Sequence, residues 1–91
     1  MPLATRITDV CTGHGPCPPR PSCSGSPDVF TNNLNQMRVT DCYEIHCLHG
    51  GMLAQGSSTV FVNNLEAGRT GDPVDCGSFA MAHSPDVDIG G

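Results

Sequence analysis

The chain of 91 residues contains no lysine and no tryptophan, and its aromatic residues are only Phe30, Tyr43, Phe61 and Phe79. With a formal charge of -5 at pH 7, it has no basic stripe to follow a phosphate backbone or to settle on an anionic bilayer, which argues against nucleic acid as a partner. No apolar run approaches the length of about eighteen residues that a spanning helix needs, and Met1-Pro2-Leu3-Ala4-Thr5-Arg6 lacks the apolar centre of an export signal. Synthesis in the cytoplasm is expected, with any exit by a signal-independent route. A chain this short removes only about two thirds of its unfolded surface from water. The expectation is one domain over 1–91 with a thin core, supplemented by a metal, a disulfide or a partner surface.

What the chain does have is six cysteines, at 11, 17, 23, 42, 47 and 76, and four histidines. In a secreted protein six cysteines would read as a disulfide framework with fifteen possible pairings. Without an export signal, reduced thiols are the expectation, some of them serving as small buried apolar groups. The richest stretch is Cys42-Tyr43-Glu44-Ile45-His46-Cys47-Leu48-His49-Gly50-Gly51. Its two imidazoles, three positions apart, could supply half of a tetrahedral metal set. A lone His-x-x-His is common on solvated loops, so the remaining ligands have to come from elsewhere.

The chain repeats. Arg6-Ile7-Thr8-Asp9 returns as Arg38-Val39-Thr40-Asp41 and as Arg69-Thr70-Gly71-Asp72, so three of the four basic residues share one repeat position. A turn closed by an ion pair is the expected use. Upstream, Gly25-Ser26-Pro27-Asp28-Val29-Phe30-Thr31-Asn32-Asn33-Leu34 matches Gly56-Ser57-Ser58-Thr59-Val60-Phe61-Val62-Asn63-Asn64-Leu65. Each reads as a short strand entering a tight hairpin, because Asn-Asn tolerates positive φ. Ser84-Pro85-Asp86-Val87-Asp88-Ile89 repeats the outgoing half of that hairpin, and the N-terminus holds a return half alone. Pairing the two ends would give an all-β domain of three equivalent hairpins around a pseudo-threefold axis, with no strand edge left open. The Gly- and Pro-rich stretch from Thr12 to Cys23 reads as an ordered loop, with Pro18-Pro19-Arg20-Pro21 as a spacer rather than a ligand for an aromatic groove. Short helical turns are expected near 51–55 and 78–83.

The repeats also place ligands. His14 follows Asp9 by five positions, His46 follows Asp41 by five, and Cys76 follows Asp72 by four. A threefold arrangement carries all three to the same end of the axis, and His49 adds a fourth. The expected site is His14, His46, His49 and Cys76, a closed set of the structural rather than the catalytic kind. Zinc suits mixed nitrogen and sulfur ligands best, with iron as the alternative. Cys11, Cys42 and Cys47 are rival thiols close in sequence, and His83 lies outside the pattern as a surface residue.

On Arg6-Ile7-Thr8-Asp9, Thr12-Gly13-His14-Gly15, Pro18-Pro19, Ser24-Gly25-Ser26-Pro27-Asp28-Val29-Phe30, Thr59-Val60-Phe61-Val62-Asn63, Ala67-Gly68-Arg69-Thr70-Gly71-Asp72-Pro73-Val74 and Cys76-Gly77-Ser78, the sequence resembles the PAAR-repeat proteins, which cap the spikes of contractile injection machines. The resemblance spans nearly the whole chain. It implies a small cone of β-strands with a metal near the point, held by three His and one Cys that match His14, His46, His49 and Cys76. It also implies a base that rests, as a monomer, on a trimeric β-helical spike.

The function expected from this is a non-enzymatic tip on a phage tail spike, or on a type VI secretion spike, that meets the target membrane transiently. Three rivals remain: a metal hydrolase using Asp9, Glu44 or Asp72 beside the ion, a disulfide-stabilised binding module, and an adaptor carrying an effector to a spike. No cargo segment is expected beyond the last strand, and on that expectation the phage setting is slightly preferred.

Overall fold

The computed structural model describes residues 2–90. Strand β1 (Phe30–Thr31) pairs antiparallel with β2 (Leu34–Asn35), and β5 (Phe61–Val62) pairs in the same way with β6 (Leu65–Glu66). The connecting pairs Asn32-Asn33 and Asn63-Asn64 sit at φ of 53° and 66°, and of 52° and 65°. Two successive positive φ values make the hairpin turn whose twist matches the flanking strands, and Asn reaches them at low cost. A longer hairpin joins β3 (Cys42–His46) to β4 (His49–Met52) through Cys47-Leu48.

The three Arg-x-x-Asp segments are three copies of one turn. In each, the Asp N–H donates to the Arg carbonyl at 3.0–3.1 Å, and the third residue has positive φ, 74° at Thr8, 83° at Thr40 and 88° at Gly71. The guanidinium closes the turn on the carboxylate at 2.8, 2.9 and 2.9 Å for Arg6–Asp9, Arg38–Asp41 and Arg69–Asp72. The same Asp also accepts the Arg backbone N–H at 2.8 Å in every copy. The ion pair expected from the sequence is therefore part of the turn itself.

The residue before each Arg marks the axis. The N–H of Thr5 donates to the carbonyl of Gly68, that of Gly68 to Met37, and that of Met37 back to Thr5, at 3.1, 2.8 and 3.1 Å. Three residues from three repeats thus close a ring of backbone hydrogen bonds, the pseudo-threefold arrangement the repeats predict. The ends close it as expected: Ala4 N–H donates to Val87 at 2.8 Å, Ile89 N–H donates to Pro2 at 2.9 Å, and Leu3 bridges Asp88.

Each repeat also caps its neighbour. Ser26, Ser57 and Ser84 are fully buried, and each hydroxyl oxygen accepts the N–H groups two and three residues on. Ser26 and Ser84 donate in turn to the Asn63 and Asn32 side chains, and Ser57 donates to the Gly90 carbonyl. Arg38, Arg6 and Arg69 reach the same three acceptors. In the repeat built from both termini, a backbone oxygen thereby replaces the Asn side chain of the other two.

Among the described residues the core forms two small clusters. Cys11, Met37, Tyr43, Leu53, Val74 and Ala80 form one, with Cys11, Tyr43 and Val74 each two residues after a turn Asp; Ala4, Val62, Ala67 and Ile89 form the other. Burial holds the Tyr43 phenol well above its ordinary pKa. The principal extents are 32 × 24 × 23 Å, one long axis with two nearly equal short ones.

Two expectations are corrected here. The regions near 51–55 and 78–83 are not helical turns: Gly51 and Met52 end β4, Leu53 bridges Val74, and Phe79 and Ala80 bridge Pro73 and Cys11. Pairing with neighbouring loops satisfies backbone groups that an isolated helical turn would leave without partners. Nor are all thiols reduced. Cys17 is bonded to Cys47 and Cys23 to Cys42, with Cα separations of 5.5 and 5.3 Å, inside the range a disulfide spans. Compartment rules guided the reduced-thiol reading, whereas the hairpins bring these pairs together. Cys17 and Cys23 are not joined to each other.

Candidate metal centre

Three excursions leave the frame after Asp9, Asp41 and Asp72, and they lean on one another in a cycle. The first meets the third where Thr12 N–H donates to Phe79 at 2.8 Å, the third meets the second where Asp75 N–H donates to Met52 at 3.0 Å, and the second meets the first where Glu44 N–H donates to Pro21 at 2.9 Å. Each carries one or two of the residues expected at the metal site.

The first excursion reverses at Gly15-Pro16, so His14 and Cys17 exchange two backbone hydrogen bonds of 3.0 and 2.8 Å. Gly13 has φ of 72°, and a Cβ there would stand 2.4 Å from the Cys17 carbonyl oxygen. Only glycine lets the chain fold back this closely. In the second excursion the pairing register shifts between Tyr43 and His46. This bulge places His46 rather than Ile45 opposite His49, and turns His46 inward while Ile45 stays exposed. The third excursion is a tight turn in which Gly77 N–H donates to Val74 at 3.0 Å, presenting Cys76.

All four expected residues meet. One ligand atom from each of His14, His46, His49 and Cys76 lies within 4.8 Å of every other. The Nε2 atoms of His14 and His49 are 3.1 Å apart, and Cys76 Sγ is 3.8 Å from His46 Nε2. Tetrahedral bonds of about 2.0–2.3 Å put neighbouring ligand atoms about 3.3–3.8 Å apart, so this donor set fits a metal of that kind. Two imidazole nitrogens facing each other at 3.1 Å need a proton or a cation between them, since bare lone pairs repel. A bound metal would supply that charge and join the three excursions.

The supporting contacts were not legible in the sequence. His46 donates Nδ1–H to the Pro18 carbonyl at 2.8 Å, which leaves Nε2 as the free lone pair facing the other clustered residues. The rival thiols are placed elsewhere: Cys11 packs in the core, and Cys42 and Cys47 are in disulfides. His83 is exposed and pairs locally with the Ser84 carbonyl.

The carboxylates of the hydrolase rival are not free beside this set. Asp9 and Asp72 are held by Arg6 and Arg69. Exposed Glu44 lines an open groove of about 500 Å³ whose lining includes none of the four clustered residues. Burial pushes the Asp41 carboxyl upward, but hydrogen bonds from Arg38 and Ser24 and the Arg38 charge outweigh it and hold the group below its ordinary pKa.

A family model described as the PAAR motif matches residues 12–82. No curated protein matches the chain significantly. The matched span contains all four clustered residues but not the two ends, 3–4 and 87–89, that close the ring.

Proposed function

The chain belongs to the PAAR-motif family and is a spike-tip-associated protein of a contractile injection system, and from that premise we propose that it is a non-enzymatic, zinc-stabilised tip capping a trimeric β-helical spike. The setting favoured is the tail of a contractile phage, with type VI secretion as the other. His14, His46, His49 and Cys76 would hold the ion, iron being the less suited alternative. Its binding energy becomes folding energy, because the ligands are scattered along the unfolded chain. Sheath contraction would then drive a small stiff point into the target envelope.

The observation that carries the spike fit is the backbone ring of Thr5, Met37 and Gly68. A single chain with this pseudosymmetry can offer similar surfaces to three identical subunits. Phe30 and Phe61 occupy equivalent repeat positions and are 56 % and 57 % exposed, with Val29 and Val60 beside them. We assign this face to the spike, with Asp88 at the third position. Co-expression with a trimeric β-helical spike protein tests the reading. One chain bound per trimer is the expected mass; three chains per trimer, or no complex, would count against it.

A further inference from the structure

Resting on the metal centre just proposed, we propose that the Cys17–Cys47 disulfide is a positioning element of that centre and ties metal affinity to thiol redox state, whereas Cys23–Cys42 does not. Cys17 is the direct backbone partner of His14, and its neighbour Pro18 accepts the Nδ1 proton of His46. Cys47 lies in the turn between His46 and His49. One covalent bond therefore joins the hairpin carrying His14 to the hairpin carrying the other two imidazoles.

The turn needs that help. Cys47 and Leu48 have φ of 47° and 66°, values that Asn or Gly adopts readily and that other side chains resist. Asn-Asn fills the same turn in the two frame hairpins. Here the sequence uses a cysteine instead, and the disulfide holds what intrinsic preference opposes. Cys42 is different. It begins β3 opposite Met52, four residues from His46, and its carbonyl already accepts the Cys23 N–H at 2.8 Å. Losing the Cys23–Cys42 bond leaves the ligand-bearing turn covalently tied.

Cys47 is exposed and Cys17 buried, so a small dithiol would enter at Cys47. Its thiolate attacks Cys47 Sγ, the Cys17 thiolate leaves and takes a proton, and the second thiol of the reductant displaces Cys47. The products are two protein thiols and the oxidised, cyclic dithiol. The freed excursions then have to be ordered at the expense of metal binding.

Cobalt(II) titration tests this, because its visible bands report tetrahedral coordination and a thiolate ligand. The disulfide-intact protein should bind one ion per chain. Cys17→Ser/Cys47→Ser should bind at least about tenfold more weakly, the effect expected when support of a metal ligand is lost. Cys23→Ser/Cys42→Ser, which also loses a crosslink, should stay within about twofold and so controls for general destabilisation. Coupling is reciprocal. Bound zinc should make Cys17–Cys47 harder to reduce by the same tenfold, about 30 mV for a two-electron couple, read by alkylation and mass spectrometry across dithiol redox buffers. Equal affinities in the two double variants, or a potential indifferent to zinc, overturns the proposal and leaves the metal centre standing. An intact protein that binds no ion overturns both.

Discussion

His46 donates its Nδ1 proton to the carbonyl oxygen of Pro18 at 2.8 Å, across 28 positions of sequence. The contact fixes the ring's tautomer and points Nε2 at the other three clustered residues. It also makes one histidine answerable to two excursions. His46→Ala should therefore reduce metal occupancy and lower the melting temperature by at least about 10 °C, the shift that follows from about 2 kcal/mol in a domain of this size. His83→Ala, at an exposed residue whose ring pairs with the adjacent Ser84 carbonyl, should change neither. Metal analysis and calorimetry of the two variants side by side provide the check.

Removing a charge from one of the three frame turns should cost more than a surface ion pair does. The side chains of Arg38 and Asp41 are 16 % and 6 % exposed, and Asp41 also accepts from Ser24 at 2.8 Å. Asp41→Asn should destabilise by about 2–3 kcal/mol, in the range for charged hydrogen bonds with a partner left unpaired. Because the folded-state pKa of Asp41 is depressed, its contribution is complete above the unfolded carboxylate value of about 3.9 and disappears as pH falls through the folded value. Urea unfolding should show less loss of stability below pH 4 in Asp41→Asn than in the parent. An unchanged acid limb would remove Asp41 from the account.

The third turn position provides an internal comparison. Thr8 and Thr40 adopt positive φ that Gly71 adopts freely in the equivalent place. Left-handed backbone costs a non-glycine residue about 1–2 kcal/mol, partly offset by the greater unfolded freedom of glycine. Thr40→Gly should stabilise by about 0.5–1 kcal/mol, and Gly71→Thr should destabilise by a similar amount. Denaturant midpoints with unchanged slopes would establish both.

The frame was legible because its signals are local and recur. Asn-Asn announces its own turn, Arg-x-x-Asp its own ion pair, and the split hairpin at the two ends its own closure. The convergence of His14, His46 and Cys76 followed from that symmetry, since they sit five, five and four positions past a turn Asp, and His49 joined them as the second imidazole of the same hairpin as His46. What the sequence concealed was register. Nothing local marks the one-residue bulge that selects His46 over Ile45, and Cys47-Leu48 looks nothing like a hairpin turn. The disulfides were hidden for the same reason, as they depend on which hairpins face each other. The expected helical turns failed because burial against a neighbouring loop outweighs local propensity in segments this short.

The exposed pair Phe30 and Phe61 leads to a prediction about assembly. Phe30→Asp/Phe61→Asp should abolish copurification with the spike and leave metal content intact, because neither residue is among the clustered ligands. Buried aromatic anchors commonly contribute at least about 2 kcal/mol each to an interface. Asp88→Phe should retain binding or strengthen it. Undiminished copurification of the double Asp variant would move the interface to another face.

The most direct measurement of the central claim is the metal content of the purified, untagged protein, joined to anomalous-scattering maps at the zinc and iron edges from its crystals. One ion per chain is expected, with an anomalous peak enclosed by His14, His46, His49 and Cys76 and strongest at the zinc edge. A folded protein without an ion between those four residues, stable through its two disulfides alone, would contradict it.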